Sequence, residues 1–572
     1  MESPYANRFW RKSWDKGLTD LNPNTWEISY TDAVRDTFDS LSDKMALTYQ
    51  GLEITFGQLD EFSNQFANML IDNGFHKGDV VGINLPNIPE YPIVLIGTLK
   101  AGCIVSGVSP LMSDVQMQYQ LSDLGVGEKK VALVTLDAIF EHRLTPIAST
   151  LPQLKLVIWT SVVGSFPKEQ QERIKAVMEV PTGTVTPLEG KTVLNFQDDA
   201  LANYSNELPN LKVSPDDIAF IQYTGGTTGP PKGAMLTHRN CVADIAIVQK
   251  WLGWDRGSKI ALSGFPFFHI AGTFFFENCL WLGWGQVLIP NPRDTQSICN
   301  EMKKYKPTAL VNVPSLYQLL INTRKFKRLD HSNLEFCISA ASPFPVESQK
   351  DLESIVGEGK LLEVYGMTET SPLTTMNPFQ GERKLGSIGL PLLNTELKLV
   401  DPDTGEEVPL GEPGEICVKG PQVMKGYYNK PEETEKAIDK DGFIHTGDVA
   451  IMDEEGYLRI VDRTKDMIIV GGYKVFSAKL EDTLTKHPAI EMVATIGLPN
   501  PDRPGSEIVK AYIQLDPDYE YDGDEEALKE SIIAFAREHC APYEVPKLLE
   551  ISEELPLTVV GKVDKKLLRK SE

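Results

Sequence analysis

The sequence predicts an α/β protein: a large multi-lobed N-terminal domain with mixed and parallel sheets and a small β lobe, followed by a small α+β C-terminal domain. Three observations predict it. Between Asp79 and Ser161, apolar runs of strand length alternate with helical patterns. Between Lys360 and Glu415 the texture changes to short strands, Gly-Pro turns and acidic loops. From Asp466 onward the pattern is again mixed, over a stretch of compact-domain size. The 572 residues are too many for one simple core, at roughly 100–200 residues per domain.

In chain order, Thr55 and Gln58 form a capping-box pattern, and Leu59, Phe62, Phe66, Met69 and Leu70 then fall on one face of a helix. DVVGINLP follows as a buried strand, PEYPIVLIGTLKAG as a helix and CIVSGVSP as another strand. This order implies parallel sheet with crossover helices, and it recurs at KKVALVTL and KLVIWTS. The loop DPDTGEEVPLGEPGE marks the hairpins of the β lobe. In the C-terminal part IIVGGYKVF and MVATIGLP read as strands with the helix AKLEDTLTKHP between them. A strand VKAYIQL, a helix EEALKESIIAFAREHC and a lysine-rich tail follow, the tail lysines Lys565, Lys566 and Lys570 being expected in solvent. The boundary falls in the charged turn Asp462–Asp466: residues 1–462, a hinge at 463–466, and residues 467–572.

Lysine and arginine number 56 against 80 acidic residues, a formal charge of −24. Neutralising phosphates needs a basic face, so a general nucleic-acid binder is excluded, and the charge reads as solubility. Seven scattered cysteines argue for reduced thiols rather than a disulfide framework or a zinc site, and so for a cytoplasmic protein. The N-terminus has no signal-peptide core. The run YPIVLIGTLKAGCIVSGVSPL is broken by Lys100 and glycines, short of the ~20 apolar residues of a membrane span. Peripheral membrane contact and a homodimer stay open.

The strongest local signal is FIQYTGGTTGPPKGAMLTHRN, Phe220 to Asn240. An apolar strand runs into Thr224, Gly225, Gly226, Thr227, Thr228 and Gly229, then two prolines and Lys232. Glycines let a backbone approach polyphosphate, successive N–H groups form an anion nest, and the hydroxyls of Thr224, Thr227 and Thr228 add donors. Lys232 supplies charge for the β- and γ-phosphates, and a helix starting near Thr237 is expected to add its dipole. This is not the loop of P-loop triphosphatases, whose lysine is followed by Ser or Thr; here Gly233 follows.

The segment resembles the signature of the adenylate-forming superfamily, which includes acyl-CoA synthetases, luciferase-like enzymes and peptide-synthetase adenylation domains. Gly225 stands where serine is common. The resemblance continues over nearly the whole chain in the family's order. LLEVYGMTETSP is similar to its Tyr-Gly-x-Thr-Glu segment. By match Tyr365 and Gly366 lie by adenine, Thr368 and Glu369 reach phosphate, and Glu369 holds Mg2+, a hard cation that prefers carboxylate and phosphate oxygens. SAASP, Ser339 to Pro343, resembles the adenine-slot loop, with Ala340, Ala341 and Ser342 lining it. Asp448 in FIHTGDVA matches the aspartate on the ribose hydroxyls, and Arg463 in IVDRTKD the arginine at the same ribose. LPLTVVGKVDKKLLRK matches the family's ending, so Lys562 is the lysine that enters the site during adenylation. The resemblance also makes the C-terminal domain mobile, pivoting at Lys465. The catalytic set is therefore Lys562, Glu369, Thr224 and Lys232.

FPFFHIAGTFFFENCLWLGWG, from Phe265, resembles the acyl-pocket stretch. His269 sits at a gating position, small Gly272 and Thr273 leave room for a channel, and Phe274, Phe275 and Phe276 wall it. The segment reads as apolar, without an acidic partner for an α-amino group, and so suits an apolar acid. The turn Gly471-Gly472 resembles the one that approaches the pantetheine arm of CoA. The resemblance implies an AMP-forming acyl-CoA synthetase, with ATP and CoA as co-substrates and Mg2+ as cofactor, acting on a medium- or long-chain fatty acid. An aromatic acid, a carrier-protein acceptor and a non-catalytic nucleotide- or acyl-binding protein are its rivals.

Overall fold

The computed structural model describes residues 3–178, 180–224, 230–257, 259–342, 344–471, 473–501, 503, 506–517, 519–521, 523–557 and 563–571. Two large sheets build the N-terminal part. Among the described residues the first has eight strands. Val80–Asn84, Ile104–Gly107, Val131–Leu136, Leu154–Thr160 and Thr192–Asn195 run parallel in it, as the strand–helix–strand rhythm requires. Ile218–Thr224 joins beside Ile104–Gly107, and the hairpin partner Lys232–Thr237 follows antiparallel.

The second sheet has nine strands among the described residues, parallel at its centre and antiparallel at both edges. It corrects one reading of the sequence. Leu361–Gly366, Leu373–Met376 and Leu390–Pro391 belong to this sheet and not to the β lobe. The apolar start of LLEVYG is buried by its parallel neighbour Phe336–Ser339, a partner that local texture does not reveal. The β lobe is the antiparallel sheet of Glu396–Val400, Pro413–Lys419, Ile444–Met452 and Leu458–Arg463.

The C-terminal part differs in three details. IIVGGYKVF is a tight hairpin of Ile468–Val470 and Tyr473–Val475 rather than one strand. Leu548–Ser552 adds a parallel strand beside Glu507–Leu515, itself antiparallel to Ile490–Pro499. The tail forms a helix, Lys565–Lys570. Apolar packing changes partners between Leu458, in the large N-terminal core, and Ile468, which packs with Leu480, Val493, Ile513 and Ile532.

The capping box forms as the sequence predicts: Gln58 N–H donates to Thr55 Oγ1 at 3.2 Å and Thr55 N–H to Gln58 Oε1 at 3.0 Å, opening the helix Phe56–Asp72. The helix Glu90–Lys100 is buried along its whole length, which explains an apolar run with no polar face. Among the described residues no helix is long and apolar enough to cross a membrane. Lys100, at the end of that run, is buried at 4 % exposure and donates to Asp60 (2.6 Å), Ser63 (2.7 Å) and Asn64 (2.7 Å). Arg35 grips the same carboxylate with both guanidinium nitrogens, at 2.9 and 2.8 Å. Burial pushes the Lys100 ammonium down to about 8, with Asp60 opposing the shift.

Removing one partner of such a pair strands a buried charge, at a typical cost of about 3–5 kcal/mol. Asp60→Ala is therefore expected to lower the unfolding free energy by that order, and Asp60→Ala with Lys100→Met to regain most of it. Denaturant titration of the two variants measures both.

Candidate active site

Thr224 ends one strand of the phosphate hairpin and Lys232 starts the other, and the two pair directly. Gly225, Gly226, Thr227, Thr228 and Gly229 lie outside the described residues. The hairpin corrects the expected helix dipole. His238–Leu252 begins after Thr237, which pairs with Ile218 at the far end of the ladder from the loop. At about 3.4 Å per residue, that is some 20 Å away, too far for an effect confined to one helical turn. Thr237 instead caps its own helix through Asn240.

Lys232 is not idle. Its ammonium lies 2.9 Å from Glu433 and 4.6 Å above the ring of Tyr427. Hydrogen bonds from Lys232 and Lys436 hold the Glu433 carboxyl down to about 2. Tyr427 in turn donates to Glu369 Oε1 at 2.7 Å. Glu369 is buried, at 5 % exposure, and burial raises its carboxyl, with Tyr427 and Lys232 opposing. Its own backbone N–H also supports the carboxyl. A buried carboxylate beside Lys232 offers the hard oxygen that Mg2+ prefers. Thr368 lies half-buried in the same short turn.

Three separate strands converge on Asp448. Tyr365 Oη donates to Asp448 Oδ2 at 2.7 Å, and Arg463 Nε to Oδ1 at 3.0 Å. Asp448 and Arg463 are directly opposite across the antiparallel pair Ile444–Met452 and Leu458–Arg463. Burial, then Asp448, pushes the Tyr365 phenol well above its ordinary range. Gly366 beside it has to be glycine: a Cβ there would lie 1.8 Å from the Pro372 carbonyl oxygen. Ala341 is exposed in a left-handed conformation, φ +72°, with Ser342 half-buried after it.

The acyl segment forms the helix Ile270–Leu282, with His269 as its N-cap; Nδ1 of His269 accepts from Ala271 N–H at 3.2 Å. Gly272 and Thr273, expected to leave room for a channel, are closely packed in this structure. A Cβ on Gly272 would sit 2.2 Å from the Pro266 carbonyl oxygen, so its small size serves close backbone packing. Thr273 is buried, its hydroxyl donating to Phe267 O at 2.7 Å. The cavity lies on the other face of the helix, at Ala271, Phe274, Phe275 and Asn278. Val311, Ile338, Val364 and Leu373 of the nine-stranded sheet, and Ala340, close it. Trp254, stacked on Phe336 with ring centroids 4.4 Å apart, walls it too. Its volume is about 40 Å³. Phe276 packs away from it, on Phe267. Ala340, expected in the adenine slot, thus faces this cavity.

The helix also carries an acidic residue that the sequence reading passed over. Glu277 is fully buried, and burial, then Asp244, pushes its carboxyl well above the usual range. It is not among the residues that line the cavity. Asp244 is likewise pushed up by burial and accepts Leu373 N–H at 2.9 Å.

Lys562 and Gly472 lie outside the described residues. Gly471 is half-buried, its N–H donating to Ser506 Oγ at 2.8 Å. Burial, then Arg463, pushes the Lys465 ammonium down to about 8, and the neighbouring Asp466 pairs with Arg569 at 2.8 Å. Lys565 is not in solvent: it donates to Glu481 and Ser477, each at 2.7 Å, as the tail helix packs its Leu568 against Ala494 and Ile496 of the strand Ile490–Pro499.

Two family models match the chain: AMP-binding enzyme over residues 34–428 and AMP-binding enzyme C-terminal domain over residues 479–562. The chain belongs to the AMP-binding enzyme family. It is 37% identical over 559 residues to a long-chain-fatty-acid–CoA ligase of Escherichia coli O6:H1, covering 96% of each chain. With the enzyme of that name from Bacillus subtilis it shares 37% over 554 residues, 94% of this chain and 93% of the relative. Among solved structures it resembles the anthranilate CoA ligase AuaEII in complex with anthranoyl-AMP, at TM-score 0.82 and 26% identity, covering 96% of this chain and 99% of that one. ATP-bound MatB from Rhodopseudomonas palustris follows at TM-score 0.78 and 26% identity, covering 95% and 99%.

Two tests follow from the geometry. If Lys232 holds phosphate, Glu433 would compete for it across an exposed ion pair, so Glu433→Gln is expected to lower the KM for ATP about two- to fivefold with kcat little changed, in keeping with the small worth of such pairs. Steady-state kinetics at fixed acid and CoA measure this. Gly272→Ala is expected to destabilise the fold by about 1–3 kcal/mol through overpacking, without altering chain-length preference. Ala271→Trp is expected to cut kcat/KM for long acids at least tenfold more than for short ones. Thermal melts and a series of acids of graded length separate the two effects.

Proposed function

We propose that this protein is an AMP-forming acyl-CoA synthetase that activates an apolar, long-chain carboxylic acid with ATP and passes the acyl group to CoA. What carries the reading is the alternation along Leu361–Gly366. Tyr365 points at Asp448 and Arg463, while Val364, on the opposite face of the same strand, lines the apolar cavity. One strand thus separates a nucleotide site from an acyl site. The names of the curated relatives support the same chemistry.

In the first step the acid's carboxylate attacks the α-phosphate of ATP and pyrophosphate leaves. Lys232 and Thr224 hold the β- and γ-phosphates, Asp448 accepts from the ribose hydroxyls, and Arg463 holds that carboxylate in orientation. Glu369 is the residue that would hold Mg2+, which when bound supplies positive charge against the phosphate oxygens. Lys562 neutralises the charge that builds at the α-phosphate. In the second step the CoA thiol attacks the acyl carbonyl and AMP leaves, with the Gly471-Gly472 turn beside the pantetheine arm. The cavity has room for only a few waters at about 10–15 Å³ each, so Phe274, Phe275 and Trp254 give way as the chain enters. Seven unpaired cysteines suit a cytoplasmic setting.

Pyrophosphate release across acids of graded length tests the acid, and CoA-dependent AMP release tests the acceptor. Long apolar acids should turn over fastest, and AMP should appear only with CoA. Faster turnover of short or aromatic acids, or AMP release indifferent to CoA, would overturn the reading.

The domain boundary at 463–466 generates the remaining prediction. Reaching both half-reactions requires the C-terminal domain to pivot at Lys465, and proline there would fix φ and resist it. Lys465→Pro is expected to slow thioester formation from preformed acyl-adenylate at least tenfold more than adenylation. Lys562→Ala is expected to do the reverse. Separate assays of the two half-reactions decide, and equal effects of Lys465→Pro on both would place the pivot elsewhere.

A further inference from the structure

The β lobe carries a second cluster of chemistry-bearing side chains. Glu415 and Cys417 stand two apart on Pro413–Lys419, so they share a face, and Cys417 pairs directly with His445 on Ile444–Met452. The ligand atoms of all three lie within 4.8 Å of one another. His445 Nδ1 is 3.0 Å from Glu415 Oε2 and 3.5 Å from Cys417 Sγ. Glu415 and Cys417 are buried, while His445 is 31 % exposed and opens the cluster to solvent.

Hydrogen bonding within the cluster pairs Nδ1 with Glu415 and leaves the Cys417 thiol with only a long contact of 3.5 Å. If Nδ1 carries a hydrogen, only one of its two neighbours can take it in full. If Nδ1 offers a lone pair to the thiol, Oε2 of an ionised carboxylate faces that lone pair with no hydrogen between them. A cation at the centre satisfies all three. Tetrahedral zinc, with bonds of about 2.0–2.1 Å to N and O and about 2.3 Å to S, holds N and O ligands about 3.3 Å apart and N and S ligands about 3.5 Å apart. The observed 3.0 and 3.5 Å need little adjustment.

The surroundings fit as well. Glu415 Oε1 accepts Gly447 N–H at 2.9 Å, which leaves Oε2 aimed at the cluster. The other ring nitrogen of His445 faces Asp439 at 3.9 Å, the carboxylate-behind-histidine arrangement that orients metal ligands. Lys398, paired with Cys417 across the sheet, opposes a cation, but it lies 3.9 Å from Asp439, which offsets its charge.

We propose that Glu415, Cys417 and His445 form a binding site for a thiophilic divalent cation of the zinc class, with solvent as fourth ligand. Binding displaces the Cys417 thiol proton to solvent. The three residues bracket Thr446–Asp448, so occupancy ties together both ends of the segment that carries the nucleotide-site aspartate.

Cobalt is the probe, because a cobalt–thiolate bond gives an intense near-ultraviolet charge-transfer band. Chelator-treated full-length protein titrated with Co2+ should develop this band to one ion per chain, and one equivalent of Zn2+ should abolish it. Cys417→Ser and His445→Ala should each lose the band while still adenylating in the presence of Mg2+ and a zinc-selective chelator. Cys540→Ser, at the half-exposed cysteine, should keep it. No band in the wild type, a band that survives both Cys417→Ser and His445→Ala, or a band lost in Cys540→Ser would overturn the assignment.

Discussion

The carboxylate of Asp448 is the point on which the rest of the site depends. It receives the Tyr365 hydroxyl from the nine-stranded sheet and the Arg463 guanidinium from the adjacent strand of the β lobe. Arg463 meets it as the directly paired residue of the neighbouring strand. Pairing of Pro413–Lys419 with Ile444–Met452 breaks between Glu415 and Cys417, so that Val449 and His445, four residues apart, face positions only two apart. Thr446, Gly447 and Asp448 bulge out between them, with Gly447 at φ +73°. A bulge re-aims a side chain in this way. Two bonds fix its shape: Glu415 Oε1 takes the Gly447 N–H, and Thr446 Oγ1 donates to Ile416 O. An acid on one strand and a left-handed glycine on the next therefore determine where the Asp448 carboxylate is presented.

Arg463 also ends the last strand before the boundary turn, so the same pairing connects the nucleotide site to whatever the C-terminal part does. Asp462, one residue earlier, is buried and accepts from both the N–H and the hydroxyl of Ser477, and Ser477 in turn accepts from Lys565. On the other side Lys474 reaches Asp401 at 3.0 Å. These two ties differ in kind. The Lys474–Asp401 pair is partly exposed and worth little. The Asp462 network is buried, and burial lifts that carboxyl to about 6 against the pull of Lys565. A pivot at Lys465 would have to exchange the Asp462 bonds for others of similar worth, and the tail helix, which brings Lys565, takes part in that exchange.

Much of the fold was legible because it is local. The capping box at Thr55 and the parallel run from Val80 to Thr160 each follow from periodicity and turn residues within a short window. What local windows could not show was membership. LLEVYG looks like the start of a β lobe until Phe336–Ser339 is placed beside it, and Lys565 looks solvated until the tail helix brings it to Glu481. The cluster of Glu415, Cys417 and His445 escaped for the same reason: 28 residues separate the thiol from the imidazole, and only strand register brings them together. Glu433, the partner of Lys232, carried no signal of its own.

The two faces of the helix Ile270–Leu282 differ in a way that was already present in the sequence. Gly272 drew attention as a small residue in an aromatic run. In a helix, however, a small residue means either open space or close contact, and size alone does not distinguish them. Periodicity does. Ala271, Phe274, Phe275 and Asn278 are spaced i, i+3, i+4 and i+7, so they form one stripe, and that stripe lines the cavity. Gly272, Thr273 and Phe276 fall on the other side and pack against the Pro266–Phe267 turn. The helix is apolar on both faces because each is buried, so composition is silent about which face meets the substrate. The lone polar residue in the stripe, Asn278, breaks that symmetry. It is already bonded to Phe274 O and Gln249, so the cavity offers a ligand little beyond apolar contact. As the proposed acyl site, a cavity built this way would select by length and shape, since a missing methylene costs only about 1–3 kcal/mol of discrimination, and its choice among acids would be set by how far Phe274, Phe275 and Trp254 can yield.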